Sequence, residues 1–112
     1  MHLKVAALTL PGALLAILLP ARADDARLKA YGRHLSQECT SCHRVDGAGQ
    51  TGIPPISGWE PAAFVKALTS YRDGARTNAV MKSVAGSLDD QQMQALATYW
   101  GSLPKAATKN PH

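Results

Sequence analysis

Two thiols and an imidazole fall within five residues at Cys39-Thr40-Ser41-Cys42-His43, and few architectures can use that grouping. A thioredoxin-like dithiol also separates its cysteines by two residues, but it needs a βαβ context, and the chain has no β-rich hydrophobic run. A zinc site needs a second ligand pair at finger spacing, which His34 and His112 do not provide. A disulfide between Cys39 and Cys42 closes too small a loop to stabilise much. The spacing suits covalent c-type haem attachment, in which both thiols add to the vinyl groups of one porphyrin and the next residue presents its imidazole to the iron. The rest of the chain must then wrap that flat apolar body.

The apolar inventory agrees with an imported core. Of the 112 residues, 16 apolar ones fall in the first 23 positions and 35 beyond them. Thirteen of those 35 are alanine, leaving 22 side chains of any size and six aromatics: Tyr31, Trp59, Phe64, Tyr71, Tyr99 and Trp100. So small a domain with so thin a core calls for a cofactor, metal, disulfide or partner. Residues 1–23 read as an export signal: His2 and Lys4, an apolar run from Val5 to Leu19, then Pro20-Ala21-Arg22-Ala23 with small side chains at the cleavage positions. Cleavage is expected before Asp24. The rival reading, an uncleaved anchor, is opposed by Pro11-Gly12 inside the run. Without the leader, ten Lys and Arg face eight Asp and Glu, a balance of +2. No basic tract is set among aromatic platforms, so nucleic-acid binding has no support.

An iron held by His43 either takes a sixth ligand or keeps an open face, which separates an electron carrier from a ligand-binding or peroxidatic haem protein. The candidates are Met81, Met93, His34 and His112. Met93, Leu96, Ala97 and Trp100 follow the i, i+3, i+4, i+7 spacing of a buried helix face, which reads Met93 as core filler. Met81 lies between Arg76 and Gly86 among small and polar residues without a sustained helical stripe. That stretch reads as a loop, able either to aim a thioether at a porphyrin or to cap an apolar patch with Val80 and Val84. His34, five residues before Cys39, is expected at the surface.

Three helices can be placed. The first runs from Asp24 or Asp25 to Gln37, with acidic residues in its opening turn and Leu28, Tyr31, Gly32 and Leu35 on one face. A second starts at Pro61, carries Phe64, Val65, Leu68 and Tyr71, and stops at Asp73-Gly74. The third spans Leu88 to Leu103, with Ser87 or Asp89 as N-cap, and ends by Pro104. Glycines and prolines forbid regular structure from Val45 to Gly58, and the tail 105–112 is expected to be disordered. No internal repeat is present. One domain, residues 24–104, is expected between leader and tail.

From Leu28 to Leu103 the chain resembles class I cytochromes c. The resemblance implies an all-α fold, three to four helices wrapped around one covalently attached haem c. Tyr31-Gly32 looks like the family's glycine at the crossing of the terminal helices, and Leu96-Ala97-Thr98-Tyr99-Trp100 like its partner segment. It implies that Cys39 and Cys42 bind the porphyrin and that His43 and Met81 ligate the iron. Pro54-Pro55-Ile56-Ser57-Gly58 is similar to the family's P-x-L-x-G. That match implies that the Pro54 carbonyl accepts a hydrogen bond from the other ring nitrogen of His43 and that Ile56 packs on the ring, with Pro55 as the other candidate carbonyl.

Within the class, Pro54 to Gly58, Phe64, Tyr71-Arg72-Asp73-Gly74, Met81 and Leu88-Asp89-Asp90 are particularly similar to the cytochrome subunit of flavocytochrome c sulfide dehydrogenase. This implies a periplasmic bacterial electron carrier, not itself an enzyme, that accepts electrons from a flavoprotein partner and has no membrane span after signal cleavage. A free shuttle between respiratory or photosynthetic complexes is the alternative, and a haem enzyme or gas-binding module with an open sixth site is a second. Lys66, Arg72, Arg76 and Lys82 form either a basic rim for an acidic partner or an ordinary solvated surface.

Overall fold

The computed structural model describes residues 1–9, 12 and 19–105. Most of the apolar run of the expected leader, His112 and all of the expected tail except Lys105 lie outside them. Four helices follow in order: α1 (Leu19–Cys39), α2 (Pro61–Arg72), α3 (Ala79–Gly86) and α4 (Asp90–Gly101). Among the described residues the only β pairing is an isolated bridge between Gln50 and Ile53, so the fold is all-α. Among the described residues no helix is long and apolar enough to cross a membrane.

α1 starts earlier and ends later than the sequence suggested. Asp24 and Asp25 therefore sit beyond its first turn, which holds no acidic residue. At its far end the helical bonding continues into the cysteine motif, with Thr40 N–H on Ser36 O at 3.0 Å and His43 N–H on Cys39 O at 2.8 Å. α1 packs on α4, and the crossing point is Gly32. A Cβ there would lie 1.9 Å from the Ala95 carbonyl oxygen and 2.9 Å from Tyr99 Cβ. Gly32 is buried and Leu28 and Leu35 are half-buried, as their shared face implied, whereas Tyr31 is exposed. Its hydroxyl accepts from Gln92 Nε2 at 3.4 Å.

α2 has the expected start and stop. Glu60 accepts from Ala63 N–H at 3.0 Å, Pro61 opens the helix, and Gly74 (φ 85°) turns the chain away. Phe64 and Leu68 are buried, and Arg72 reaches across to Asp90 at 2.8 Å, tying α2 to α4. α4 begins in a capping box, Asp89 accepting from Gln92 N–H and the Gln92 side chain accepting from Asp89 N–H. Its Met93, Leu96, Ala97 and Trp100 are all buried, as their spacing required.

α3 corrects the expectation of a loop around Met81. Asn78 caps it, its side-chain oxygen accepting from Met81 N–H at 2.9 Å. The helix is eight residues long and fully buries only Ala85, while Met81, Val84 and, just past its end, Leu88 are half-buried on the same face. A helix this short owes its existence to its cap and its packing on α2.

The segment 45–58 is irregular, as its glycines and prolines imply. Ser57, buried, donates its hydroxyl toward the carbonyls of Arg44 and Val45, each 3.4 Å away. Gly58 (φ 74°) donates to the Trp100 carbonyl at 2.9 Å, and a Cβ there would meet Lys105 Cα at 2.6 Å. These contacts pin both ends of the segment. The buried protein core is small: Phe64, Leu68, Ala85, Met93, Leu96, Ala97 and Trp100.

Candidate cofactor site

A cavity of about 310 Å³ lies between the end of α1, the segment around Pro54, and helices α2, α3 and α4. Cys39, Cys42, His43, Pro54, Ile56 and Met81 all line it, joined by Trp59, Phe64, Leu68, Val84, Leu88 and Leu96. Phe64, Leu68 and Leu96 read as helix core from their spacing, but periodicity cannot say that their shared core is a cavity wall. Trp59 stands edge-on to Phe64, ring centroids 6.4 Å apart. In the sequence nothing marks Trp59 beyond its place after the Pro-rich segment.

His43 is buried, and its Nδ1 lies 2.9 Å from the Pro54 carbonyl oxygen. A carbonyl only accepts, so Nδ1 donates here and Nε2 is the ring nitrogen this bond leaves unused. The Pro55 carbonyl is used differently, accepting from Trp59 Nε1 at 3.1 Å. The choice between adjacent prolines is thereby made by the backbone, since each carbonyl points at its own ring.

The methionines are equally distinct. Met81 lines the cavity, whereas Met93 does not and is fully buried in the protein core, its sulfur 3.8 Å from the Thr69 hydroxyl. His34 is exposed and away from the cavity. Among the described residues no three His, Cys, Asp or Glu side chains come together in a group that could hold a metal ion.

Both cysteines are free thiols, Cys39 half-buried and Cys42 exposed. Burial pushes the Cys39 thiol up, the neighbouring Trp100 indole N–H pulls it partly back, and Glu38 adds to the rise. That indole N–H is buried without a partner at ordinary hydrogen-bond geometry, so the sulfur is the acceptor it faces. Beyond the motif, the Arg44 guanidinium and then Ala48 N–H hold the Asp46 carboxyl below the usual carboxylate range. The pair is fully exposed and serves to shape the turn rather than to stabilise it.

These residues fit a haem. The cavity is mainly apolar, two thiols stand at one end, and the His43 imidazole and the Met81 thioether border the same space. A family model described as Cytochrome c matches residues 30–104. The chain is 35% identical over 77 residues to the cytochrome subunit of sulfide dehydrogenase of Chlorobaculum tepidum, covering 69% of this chain and 70% of that one. It is 30% identical over 96 residues to a thiosulfate dehydrogenase electron acceptor of Stutzerimonas stutzeri, covering 82% of this chain and 44% of the other. The crystal structure of cytochrome c4 from Pseudomonas stutzeri superimposes with a TM-score of 0.65 at 31% identity. That match covers 70% of this chain and 50% of cytochrome c4, so the chain spans about half the length of some relatives and most of another. The cavity, lined by both His43 and Met81, and the match across residues 30–104 lead to one assignment: the chain belongs to the cytochrome c family, electron-transfer proteins that carry covalently bound haem c.

Proposed function

We propose that Cys39 and Cys42 would form the thioether links to a haem, that His43 Nε2 and Met81 Sδ would hold its iron, and that the protein passes single electrons in the periplasm. The observation that carries this reading is the His43 Nδ1 to Pro54 O bond beside a cavity that Met81 also lines. When bound, the haem supplies one-electron cycling between Fe(III) and Fe(II). The protein's part is to hold the ligands still. Pro54 fixes the His43 ring and raises its basicity, the Asn78 cap sets the backbone of Met81, and Ile56, Phe64 and Leu68 exclude water. A soft thioether among the iron's ligands would favour the reduced state.

Replacing each methionine separates the two roles. Met81→Ala is expected to abolish the near-infrared Met-to-iron band of the ferric protein while leaving it folded. Met93→Ala should keep the band and lose about 2–5 kcal/mol of stability, measured by denaturant melts, because it leaves a hole in the core. A five-coordinate or CO-binding native protein would overturn the carrier reading in favour of an open sixth site.

For the partner, we propose a flavoprotein sulfide dehydrogenase subunit that delivers electrons one at a time, with the mature chain beginning at Asp24. The similarity to the Chlorobaculum tepidum subunit over 70% of its length supports this reading. Co-purification of a flavoprotein with the tagged chain is the expected result. A monomer reduced rapidly by respiratory or photosynthetic donors, with no flavoprotein bound, would favour the free shuttle instead.

A further inference from the structure

We propose that Trp100 is a positioning residue for Cys39, its indole N–H donating to the Cys39 sulfur and so holding one thioether edge of the haem, an inference that rests on the haem reading above. The Trp100 side chain is fully buried, and among the described residues its Nε1 is the only buried side-chain nitrogen or oxygen without a hydrogen-bond partner. A buried donor left in that state loses its water and gains nothing in return, so native cores rarely keep one. Cys39 packs against the core cluster that contains Trp100, and the indole is the side-chain donor that pulls its thiol down against the effect of burial. Sulfur's larger radius sets such a bond longer than one to oxygen. Ser36, the buried polar side chain on α1, is committed elsewhere, donating to the Arg33 carbonyl at 2.7 Å.

Both partners are held in place. The Trp100 carbonyl accepts from Gly58 N–H at 2.9 Å and from Leu103 N–H at 3.2 Å, and its ring meets that of Tyr99 edge-on, centroids 5.8 Å apart. Cys39 closes α1, its carbonyl accepting from His43 N–H at 2.8 Å, and α1 packs closely on α4. Cys39 lines the cavity and Trp100 does not, so the indole acts through the sulfur from behind the wall. The chemistry of the two groups matches the attached state. In attachment the thiol S–H adds across a vinyl C=C, sulfur to one carbon and hydrogen to the other, with nothing expelled and no outside oxidant or reductant consumed. The sulfur loses its proton, keeps its lone pairs and becomes acceptor-only, the complement of a donor-only indole. Cys42 is exposed, so the two links are not equivalent. An N–H aimed at the Cys39 sulfur also sets the positive end of its dipole at the haem edge, which should favour the reduced state.

The test uses the ¹⁵N-labelled ferrous holoprotein, with each single-cysteine variant keeping its haem through the other cysteine. In Cys39→Ala the Trp100 indole N–H resonance should move upfield and its proton should exchange about tenfold faster. Cys42→Ala should leave the resonance in place. Cys39→Ser should restore most of it, because a hydroxyl cannot join a vinyl group here but can accept the indole proton. Trp100→Phe, which keeps an aromatic ring and removes the donor, should lower the midpoint potential in the wild-type background and leave it unchanged in the Cys39→Ala background. If the cysteine variants fail to mature, a nuclear Overhauser contact between the indole proton and the Cys39 β-protons is still expected in the wild type, and its absence overturns the assignment. An indole resonance indifferent to Cys39→Ala, or a potential change in Trp100→Phe that persists without Cys39, overturns it as well. Haem staining of the wild type after denaturing electrophoresis keeps the two readings apart: no stain ends the haem reading, whereas a stained protein with an indifferent indole ends only the role of Trp100.

Discussion

With Cys39 and Cys42 both replaced by Ala, the chain is expected to lose cooperative folding altogether. Without its porphyrin the protein would enclose a cavity of about 310 Å³. At about 24 cal/mol per Å³, such a void costs about 7 kcal/mol, an upper figure because the cavity opens to solvent. Residues 24–112 number 89, for which the usual stability is roughly 4–13 kcal/mol in total. Among the described residues only eight buried hydrophobic side chains make up the protein's own core, three of them alanine, so little else could compensate. Far-ultraviolet circular dichroism of the double variant should show little stable helix and a shallow urea response. A sigmoidal melt with native-like helix would show that the helices pack without help.

The second large effect is expected at Gly32. Any side chain there places Cβ 1.9 Å from the Ala95 carbonyl oxygen, a backbone atom within α4 that cannot move alone. The two helices must separate, which loosens Leu35, Leu96 and Trp100 together. Gly32→Val should cost about 3 kcal/mol or more, beyond the ordinary range for one extra core group, because backbone rather than a side chain is in the way. For a domain of this size that corresponds to roughly 12–24 °C in Tm. The covalent haem should remain, since the cysteines are untouched. A Tm within a few degrees of wild type would mean that the α1–α4 crossing is not as close as the structure shows. Gly32→Ala offers the milder comparison at the same contact.

Much of this protein can be read along the chain wherever the physics is local. The cysteine motif is five consecutive residues, and its bonding is that of a helix end. The α2 start needs only Glu60 and Pro61, and α4 needs only Asp89, Gln92 and one apolar stripe. Those features were legible because the interacting groups lie within a helical turn of one another. α3 was not, because its apolar face of Met81, Val84 and Ala85 spans little more than one turn among small and polar residues, and a single Asn cap is a weak signal. Trp59 and Asn78 escaped for a related reason. Each reaches the cavity only through the path of a connecting segment.

Sequence alone determined the class: thiol spacing, the histidine after it, a lean apolar inventory and three helix patterns require a small all-α domain built around a covalent haem. Tertiary structure decided which groups meet. It gave the Pro54 carbonyl rather than that of Pro55 to His43, put Met81 rather than Met93 on the cavity, and left Arg76 rather than Arg72 facing it. Each alternative consists of chemically equivalent groups, so composition and spacing could not rank every pair. The direction in which the folded backbone aims a carbonyl, a thioether or a guanidinium exists only once the helices have packed.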